Sequence, residues 1–163
     1  MTKRLPLRAV ALIVANPVGE ILVLQEVVTK AHIGKFAGMW SIPMETVDPG
    51  QNWIAALRQL HSEELAGLPS IQMPARYIGT YQVVPRAWAR LYATMSSTYH
   101  LPAVSDNEHE VRNHQWLPIH VVLELWLRKG AEEMIRDYAG GLENVVRTNC
   151  AEVRGVNTTK VRT

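Results

Sequence analysis

The chain has 163 residues, of which 47% are hydrophobic and 20% are charged, a composition typical of a folded domain rather than of a disordered chain. Its longest apolar stretch, residues 9–15, is far shorter than the ~20 residues of a transmembrane helix, and Arg8 and Asn16 bracket it, so we expect neither a membrane span nor a secretory signal. Seventeen basic and 15 acidic residues give a net charge of +2, which offers no electrostatic argument for binding nucleic acid or a membrane surface.

The cysteine content indicates the cellular compartment, and the absence of linkers indicates the number of domains. The single cysteine, Cys150, cannot form an internal disulfide, which favours a reducing compartment and hence the cytoplasm. No repeat, low-complexity tract or Ser/Gly/Pro-rich linker divides the chain. We therefore expect one domain over residues 1–163, with a flexible polar tail at 157–163.

The first half of the chain predicts a hairpin followed by a helix. Aliphatic runs at 8–15 and 21–26 flank a turn-forming segment, Asn-Pro-Val-Gly-Glu, which predicts two paired strands. Residues 52–66 have helical spacing of apolar side chains, with Asn52 as the N-cap. Gly67 is expected to end this helix.

The second half alternates in the same way. Runs at 76–84 and 86–99 around Pro85 predict two paired strands. A polar loop at 105–110 follows, and then a short strand at 111–117. Helices are expected from Pro118 through 127 and over 131–138. We expect Gly140 and Gly141 to end the last helix.

Residues 38–67 read GMWSIPMETVDPGQNWIAALRQLHSEELAG, and this segment resembles the Nudix hydrolase family, whose box is GX5EX7REUXEEXGU with U aliphatic. The resemblance rests on the Trp-x-Ile-Pro strand, the Asp-Pro-Gly-Gln turn, the helix start at 55–60 and the pair Glu63 and Glu64. It implies a MutT-like α+β fold, in which a mixed β-sheet is sandwiched between helices. It also implies hydrolysis of the pyrophosphate bond of a nucleoside diphosphate linked to another moiety.

Metal binding explains the spacing of the glutamates in this box. Carboxylates three or four residues apart share one face of a helix, where their oxygens can hold a divalent cation. The resemblance implies Mg²⁺ or Mn²⁺, which activates water and neutralises phosphate charge. It assigns as candidate metal ligands Glu63, Glu64, Gln59 and Glu45, with Glu63 also catalytic.

The box can be aligned in two registers. In the first, Arg58 takes the position of the box arginine and is a catalytic-site residue, while Gln59 and Ser62 replace two of the helix glutamates. Leu60 then takes the aliphatic position, so helical periodicity favours this register.

The second register runs without gaps from Gln51 to the pair Glu63 and Glu64. It places Gln59 at the arginine and Leu60 at a glutamate. Glu63 is a ligand candidate in both registers, and in both the box is degenerate.

The segment before the helix also departs from the family. Met44 and Glu45 stand where paired glycines are expected, which puts two side chains near the metal or phosphate. Glu45 can supply an acid there. Gln51 replaces the acid of the turn, and its amide can hydrogen-bond but carries no charge.

Further candidates lie outside the box. In the acidic loop before residue 111, Glu108 is a candidate catalytic base or ligand and Glu110 a candidate substrate-binding group, as the resemblance implies. Lys35, in a basic approach segment, is a candidate for phosphate. Of the strand aromatics at 40, 81, 88 and 92, we select Trp40 and Tyr81 for stacking on a base.

Three classes of function remain open from the sequence. One is a metal-dependent Nudix hydrolase with a reduced ligand set, the second is an inactive Nudix-fold protein that binds or senses a nucleotide-like small molecule, and the third is a scaffold. The replacement of glutamates by Gln59 and Ser62 favours the sensor, whereas Glu45, Glu63 and Glu64 favour the hydrolase. A strand-rich surface with several tryptophans leaves a homodimer open.

Overall fold

The computed structural model describes residues 6–66, 68, 75–102 and 110–155, with side chains up to residue 143. The predicted tail at 157–163, Gly67 and Glu108 lie outside these residues. The strands are β1 Leu7–Ala15, β2 Ile21–Glu26, β3 Trp40–Ser41, β4 Met44–Thr46, β5 Arg76–Val84, β6 Ala87–Met95 and β7 Val111–Leu117, and the helices are α1 Trp53–Glu64, α2 Ile119–Val122 and α3 Ala131–Gly155.

The strands form one mixed sheet. Its order is β3-β2-β1-β6-β5, with β4 paired to β1 and β7 paired to β2. β1 runs parallel to β6 over nine residues, from Leu7 opposite Ala87 to Ala15 opposite Met95, whereas β4 runs antiparallel to β1. The parallel pairing brings the first residues of β1 and β6 to the same end of the sheet.

Both faces of the sheet are buried, which explains why β1 is a continuous apolar run rather than an alternating one. Ala11 and Ile13 face a cluster with Met134 and Ile135 of α3. Val10 and Leu12 face the opposite cluster, where α1 packs. The sheet therefore lies between helices, and the predicted α+β sandwich is confirmed.

The first hairpin and the first helix form as the sequence predicts. In the turn after β1, Asn16 Oδ1 accepts hydrogen bonds from the backbone of Val18 and Glu20. Asn52 caps α1 by accepting from the Ala55 amide at 2.8 Å. The predicted apolar stripe is buried through Ala56, Leu57 and Leu60.

The helix predicted over 118–127 is wrong beyond its first turn. α2 ends at Val122, the chain turns over residues 123–125, and Leu127 then pairs with Trp40 of β3. The Trp40 amide donates to the Trp126 carbonyl at 2.8 Å and the Arg128 amide to the Trp40 carbonyl at 2.7 Å. These bonds to a strand cannot form from a helix, so tertiary pairing overrides the local helical pattern.

The predicted end of the last helix is also wrong. α3 continues through Gly140 and Gly141 to Gly155, and neither glycine has the positive φ of a helix-ending residue. A glycine weakens a helix by about 1 kcal/mol but does not by itself end it. In the described part of the chain, no helix has the length and apolar character to span a membrane.

Candidate functional site

A cavity of about 290 Å³ opens where β1 and β6 begin. β4, the last turn of α1 and the loop between β2 and β3 complete its walls. The lining residues are Leu7, Ala9, Lys30, Ile33, Lys35, Met44, Glu45, Thr46, Glu63, Glu64, Val83, Ala87, Trp88, Glu110, Val111 and Arg128.

One wall of the cavity is acidic. Glu63 and Glu64 come from the last turn of α1 and Glu45 from β4, which pairs with β1. The Met44 amide donates to Glu64 Oε2 at 3.2 Å, so β4 and α1 are joined at this wall. His114 of β7 contacts the Glu64 carbonyl at 3.0 Å and holds the end of the helix from the other side.

The carboxylates of this wall repel one another. Burial raises the pKa of Glu64 well above its ordinary value, and the negative charges of Glu26 and Glu45 raise it further. Burial also raises the pKa of Glu45, and the charge of Glu63 adds to the effect. A cation bound here would relieve this repulsion.

The donor set fits a hard divalent cation in kind, since the acidic wall offers oxygen ligands. The number of protein ligands, however, is small. No three acidic, histidine or cysteine side chains within the described ranges are grouped closely enough to hold a metal ion. A cation at Glu45, Glu63 and Glu64 would therefore draw ligands from water and from substrate phosphate as well.

A second wall of the cavity is basic and is built around Glu26. This carboxylate lies at the end of β2 and is 2% exposed. Its Oε1 accepts from Arg128 at 3.1 Å, and its Oε2 forms an ion pair with Lys35 Nζ at 3.0 Å. Lys35 and Arg128 are themselves only 5% and 9% exposed, so three charged side chains are buried together.

Glu110 closes the basic wall from the solvent side. Its two carboxylate oxygens lie 2.6 Å from Lys30 Nζ and 2.6 Å from Lys35 Nζ. Hydrogen bonds from these two lysines lower the pKa of Glu110, so its carboxylate remains charged. The candidate substrate-binding residues Lys35 and Glu110 thus meet in one ion-pair network.

The local chain explains how the two lysines converge. Lys30 and Lys35 pair through their backbones across the short 3-10 turn Ala31–Ile33. Gly34 follows that turn with φ +67°, and a Cβ there would lie 3.0 Å from atoms of Lys129 and Val84. Glycine is therefore required where the loop packs against β5.

A contact in the helix bears on the register of the box. Gln51 Nε2 donates to Gln59 Oε1 at 2.9 Å, and these residues are the ones that the gap-free register places at the acid of the turn and at the arginine. The contact is compatible with that register, and both registers stay predictions. Leu60 is nevertheless fully buried, in the core cluster that also contains Ala56 and Leu57 of the same helix.

Several predicted site residues lie elsewhere. Arg58 is exposed on α1, and Gln59 reaches the site only through its 3.1 Å hydrogen bond to Glu63. Trp40 contributes to the core beside β2. Tyr81 is buried, with its hydroxyl donating to Asp137 at 2.9 Å, so Tyr81 and Trp40 do not line the cavity.

Sequence reasoning missed three residues of the site. Trp88, at the start of β6, is the aromatic side chain that lines the cavity, and it was one of four strand aromatics with equal claims. Glu26 interrupts an otherwise apolar strand, which is a signal of a buried charge with a partner. Arg128 gives no signal in the sequence, because its pairing with Glu26 spans 102 residues.

A profile of the NUDIX domain matches residues 5–138. The chain belongs to the Nudix family. The match covers the strands, α1, α2 and the first part of α3, so it includes every described residue of the cavity. In contrast, a search of curated protein sequences gives no significant match.

Solved structures share the fold of this Nudix protein at low sequence identity. A mutT/nudix family protein from Listeria innocua has a TM-score of 0.66 at 19% identity, covering 90% of this chain and 99% of the other. The NUDIX domain of NrtR from Shewanella oneidensis, complexed with ADP ribose, gives 0.62 at 16% identity, covering 86% and 90%. A C. elegans Ap4A hydrolase gives 0.61 at 18%, covering 85% and 98%.

Proposed function

We propose that this Nudix protein hydrolyses the pyrophosphate bond of a nucleoside diphosphate linked to another moiety, with Mg²⁺ or Mn²⁺. The observation that carries the proposal is the convergence of Glu45, Glu63 and Glu64 on one wall of a cavity whose other wall presents Lys30, Lys35 and Arg128. A diphosphate needs both, because cations bound to carboxylates neutralise one set of its oxygens and basic side chains the other. The similar structures with ADP ribose and of an Ap4A hydrolase support this substrate class.

The residues of the cavity have distinct parts in this proposal. Members of the family generally use a divalent metal, which when bound supplies charge neutralisation and an activated water. Glu45, Glu63 and Glu64 would hold it. Lys35 and Arg128, fixed by Glu26, orient the phosphate oxygens. Trp88 offers a flat apolar face for a base or sugar.

A second candidate is a protein that binds such a ligand without hydrolysing it. One observation favours it: Leu60, which the gap-free register places at a glutamate of the box, is fully buried and supplies no ligand. Together with the small ligand set within the described ranges, this would leave binding intact and chemistry absent.

The test is a panel of nucleoside diphosphate derivatives with and without Mg²⁺ or Mn²⁺. Thermal unfolding identifies ligands by their stabilisation, and chromatography of the products then detects hydrolysis. We expect a ligand that stabilises the protein and is cleaved only with metal. A ligand that stabilises the protein but stays intact would replace the hydrolase by the binding protein.

The variant Glu63→Gln tests the acidic wall. Metal-dependent hydrolysis should disappear, while the free energy of unfolding changes by less than about 1 kcal/mol because Glu63 is exposed at the helix end. Glu133→Gln, an equal loss of charge on the exposed face of α3, should hydrolyse like the wild type. Unchanged turnover in Glu63→Gln would remove Glu63 from the mechanism.

The cysteine content and the strand-rich surface bear on location and assembly. The single cysteine of the chain supports our proposal of a cytoplasmic protein. The possible homodimer stays a prediction, which sedimentation of the purified protein would test.

A further inference from the structure

The carboxylate of Glu110 lies where an anion of the ligand would be expected. It bridges two lysines: Oε1 lies 2.6 Å from Lys30 Nζ, and Oε2 lies 2.6 Å from Lys35 Nζ. Both lysines line the cavity, as does Glu110 itself. Two oxygens of one group shared between two cations is the arrangement that a phosphate makes with basic side chains.

Two cations of the basic wall, Lys35 and Arg128, are held independently of Glu110, whereas Lys30 forms its ion pair with Glu110 itself. Lys35 also pairs with Glu26, and Glu26 in turn holds Arg128. Because all three are at least nine-tenths buried, their positions are fixed by packing and by one another. Lys35 and Arg128 would therefore keep their positions if the Glu110 side chain turned away.

The Glu110 side chain has solvent on one side into which it can turn once its two ion pairs break. Its side chain is 42% exposed, in contrast to the 2% of Glu26. Its backbone is held, since the Val27 amide donates to the Glu110 carbonyl at 2.9 Å. Release of the two lysines requires only rotation about side-chain bonds and leaves the backbone where it is.

The net charge of the basic wall depends on the position of Glu110. Lys30, Lys35 and Arg128 face Glu26 and Glu110, which leaves one positive charge in excess. With Glu110 turned out to solvent, two positive charges remain in excess inside a partly buried cavity. A group with two negative charges, such as a phosphoryl group, matches that excess.

We propose that Glu110 is an internal competitor of the ligand: a phosphate group of the ligand binds Lys30 and Lys35 in place of the Glu110 carboxylate. The inference rests on the proposed function in that the ligand carries phosphate. It adds that the basic wall is closed by the protein's own anion when no ligand is bound. Ligands with a weaker negative charge would fail to displace Glu110, so the exchange selects phosphate-rich ligands.

The experiment is calorimetric titration with inorganic pyrophosphate in EDTA at low ionic strength. Glu110→Gln should bind pyrophosphate roughly tenfold more tightly than the wild type, because pyrophosphate no longer has to displace a carboxylate from the two lysines. Lys30→Gln should bind more weakly than the wild type. Glu133→Gln removes the same charge from a distant surface and should leave the affinity unchanged.

The outcomes separate this inference from the proposed hydrolysis, since EDTA removes the metal. Affinity of Glu110→Gln equal to or below that of the wild type would overturn the exchange, as would an equal gain in Glu133→Gln, which would show a general effect of net charge. Unaltered affinity of Lys30→Gln would also overturn it. Lys30 is 41% exposed, so that variant should fold and keeps the test informative if Glu110→Gln does not.

Discussion

Glu26 shows how one charged side chain organises the site. It ends an apolar strand, is almost completely buried, and pairs with both Lys35 and Arg128. Arg128 Nε and Glu26 Oε2 are buried without a hydrogen bond from the described residues, so the network is held by ion pairing more than by full hydrogen bonding. Such a network positions charges and depends on all of its members.

We therefore expect Glu26→Gln to be strongly destabilising. Removal of one carboxylate leaves two buried cations without their shared partner, which lowers the free energy of unfolding by about 3–5 kcal/mol. Urea denaturation measures the change. The control is Glu132→Gln, which breaks an exposed pair with Arg136 and should cost less than about 1 kcal/mol. Equal effects of the two variants would contradict a structural role for Glu26.

At the scale of elements, glycine has opposite effects on stability in a loop and in a helix. Gly34 has a positive φ and lies against Lys129 and Val84, so the loop that carries Lys30 and Lys35 depends on it. Gly140 and Gly141 lie inside α3, and a Cβ at either would have no described atom within 4 Å. The same residue type is a requirement in the loop and a weakness in the helix.

The expected result is a gain of about 0.5–1 kcal/mol in the free energy of unfolding for each of Gly140→Ala and Gly141→Ala, since alanine restricts the unfolded chain and favours the helix. Gly34→Ala should instead destabilise, through both strain and contact. Thermal or urea unfolding of the three variants compares them. A loss of stability in both helix variants would mean that α3 does not continue through the glycines.

At the scale of the whole molecule, the sheet is fixed to α3 by a polar contact as well as by the core. The Tyr81 hydroxyl of β5 donates to Asp137 of α3, and burial together with Asp137 raises the pKa of Tyr81 to about 12. Because the folded pKa exceeds the unfolded value of about 10, the stabilisation is complete below pH 10. It is lost as the pH rises from 10 through 12.

This linkage predicts a difference between the wild type and Tyr81→Phe. Between pH 9 and pH 11, the wild type should lose more of its free energy of unfolding than the variant, because unfolding releases the Tyr81 proton. The difference should be at most about 1.4 kcal/mol, since solvent screens the hydroxyl. Urea denaturation at the two pH values gives both losses. Parallel losses would show that Tyr81 titrates alike in the folded and unfolded chain.

The sequence by itself determined the long strands and the sandwich, whereas the short strand β4 was not predicted. The apolar runs of β1 and β2 and the stripe of α1 can be buried only against neighbours on both faces, and Asn16 and Asn52 act through bonds within four residues. It also marked Glu45, Glu63, Glu64 and Glu110 through the resemblance to the Nudix family, and Lys35 through the basic segment that contains it.

Only the tertiary structure decided which of these groups meet and what opposes them. Arg128 reaches Glu26 across 102 residues, and Lys35 reaches Glu110 across 75, distances at which local spacing carries no information. The early end of α2 and the position of Tyr81 away from the cavity also depend on contacts between residues that are distant in the sequence. Pairing with β3 and burial against α3 are properties of the packed chain, and local propensity is too weak to oppose them.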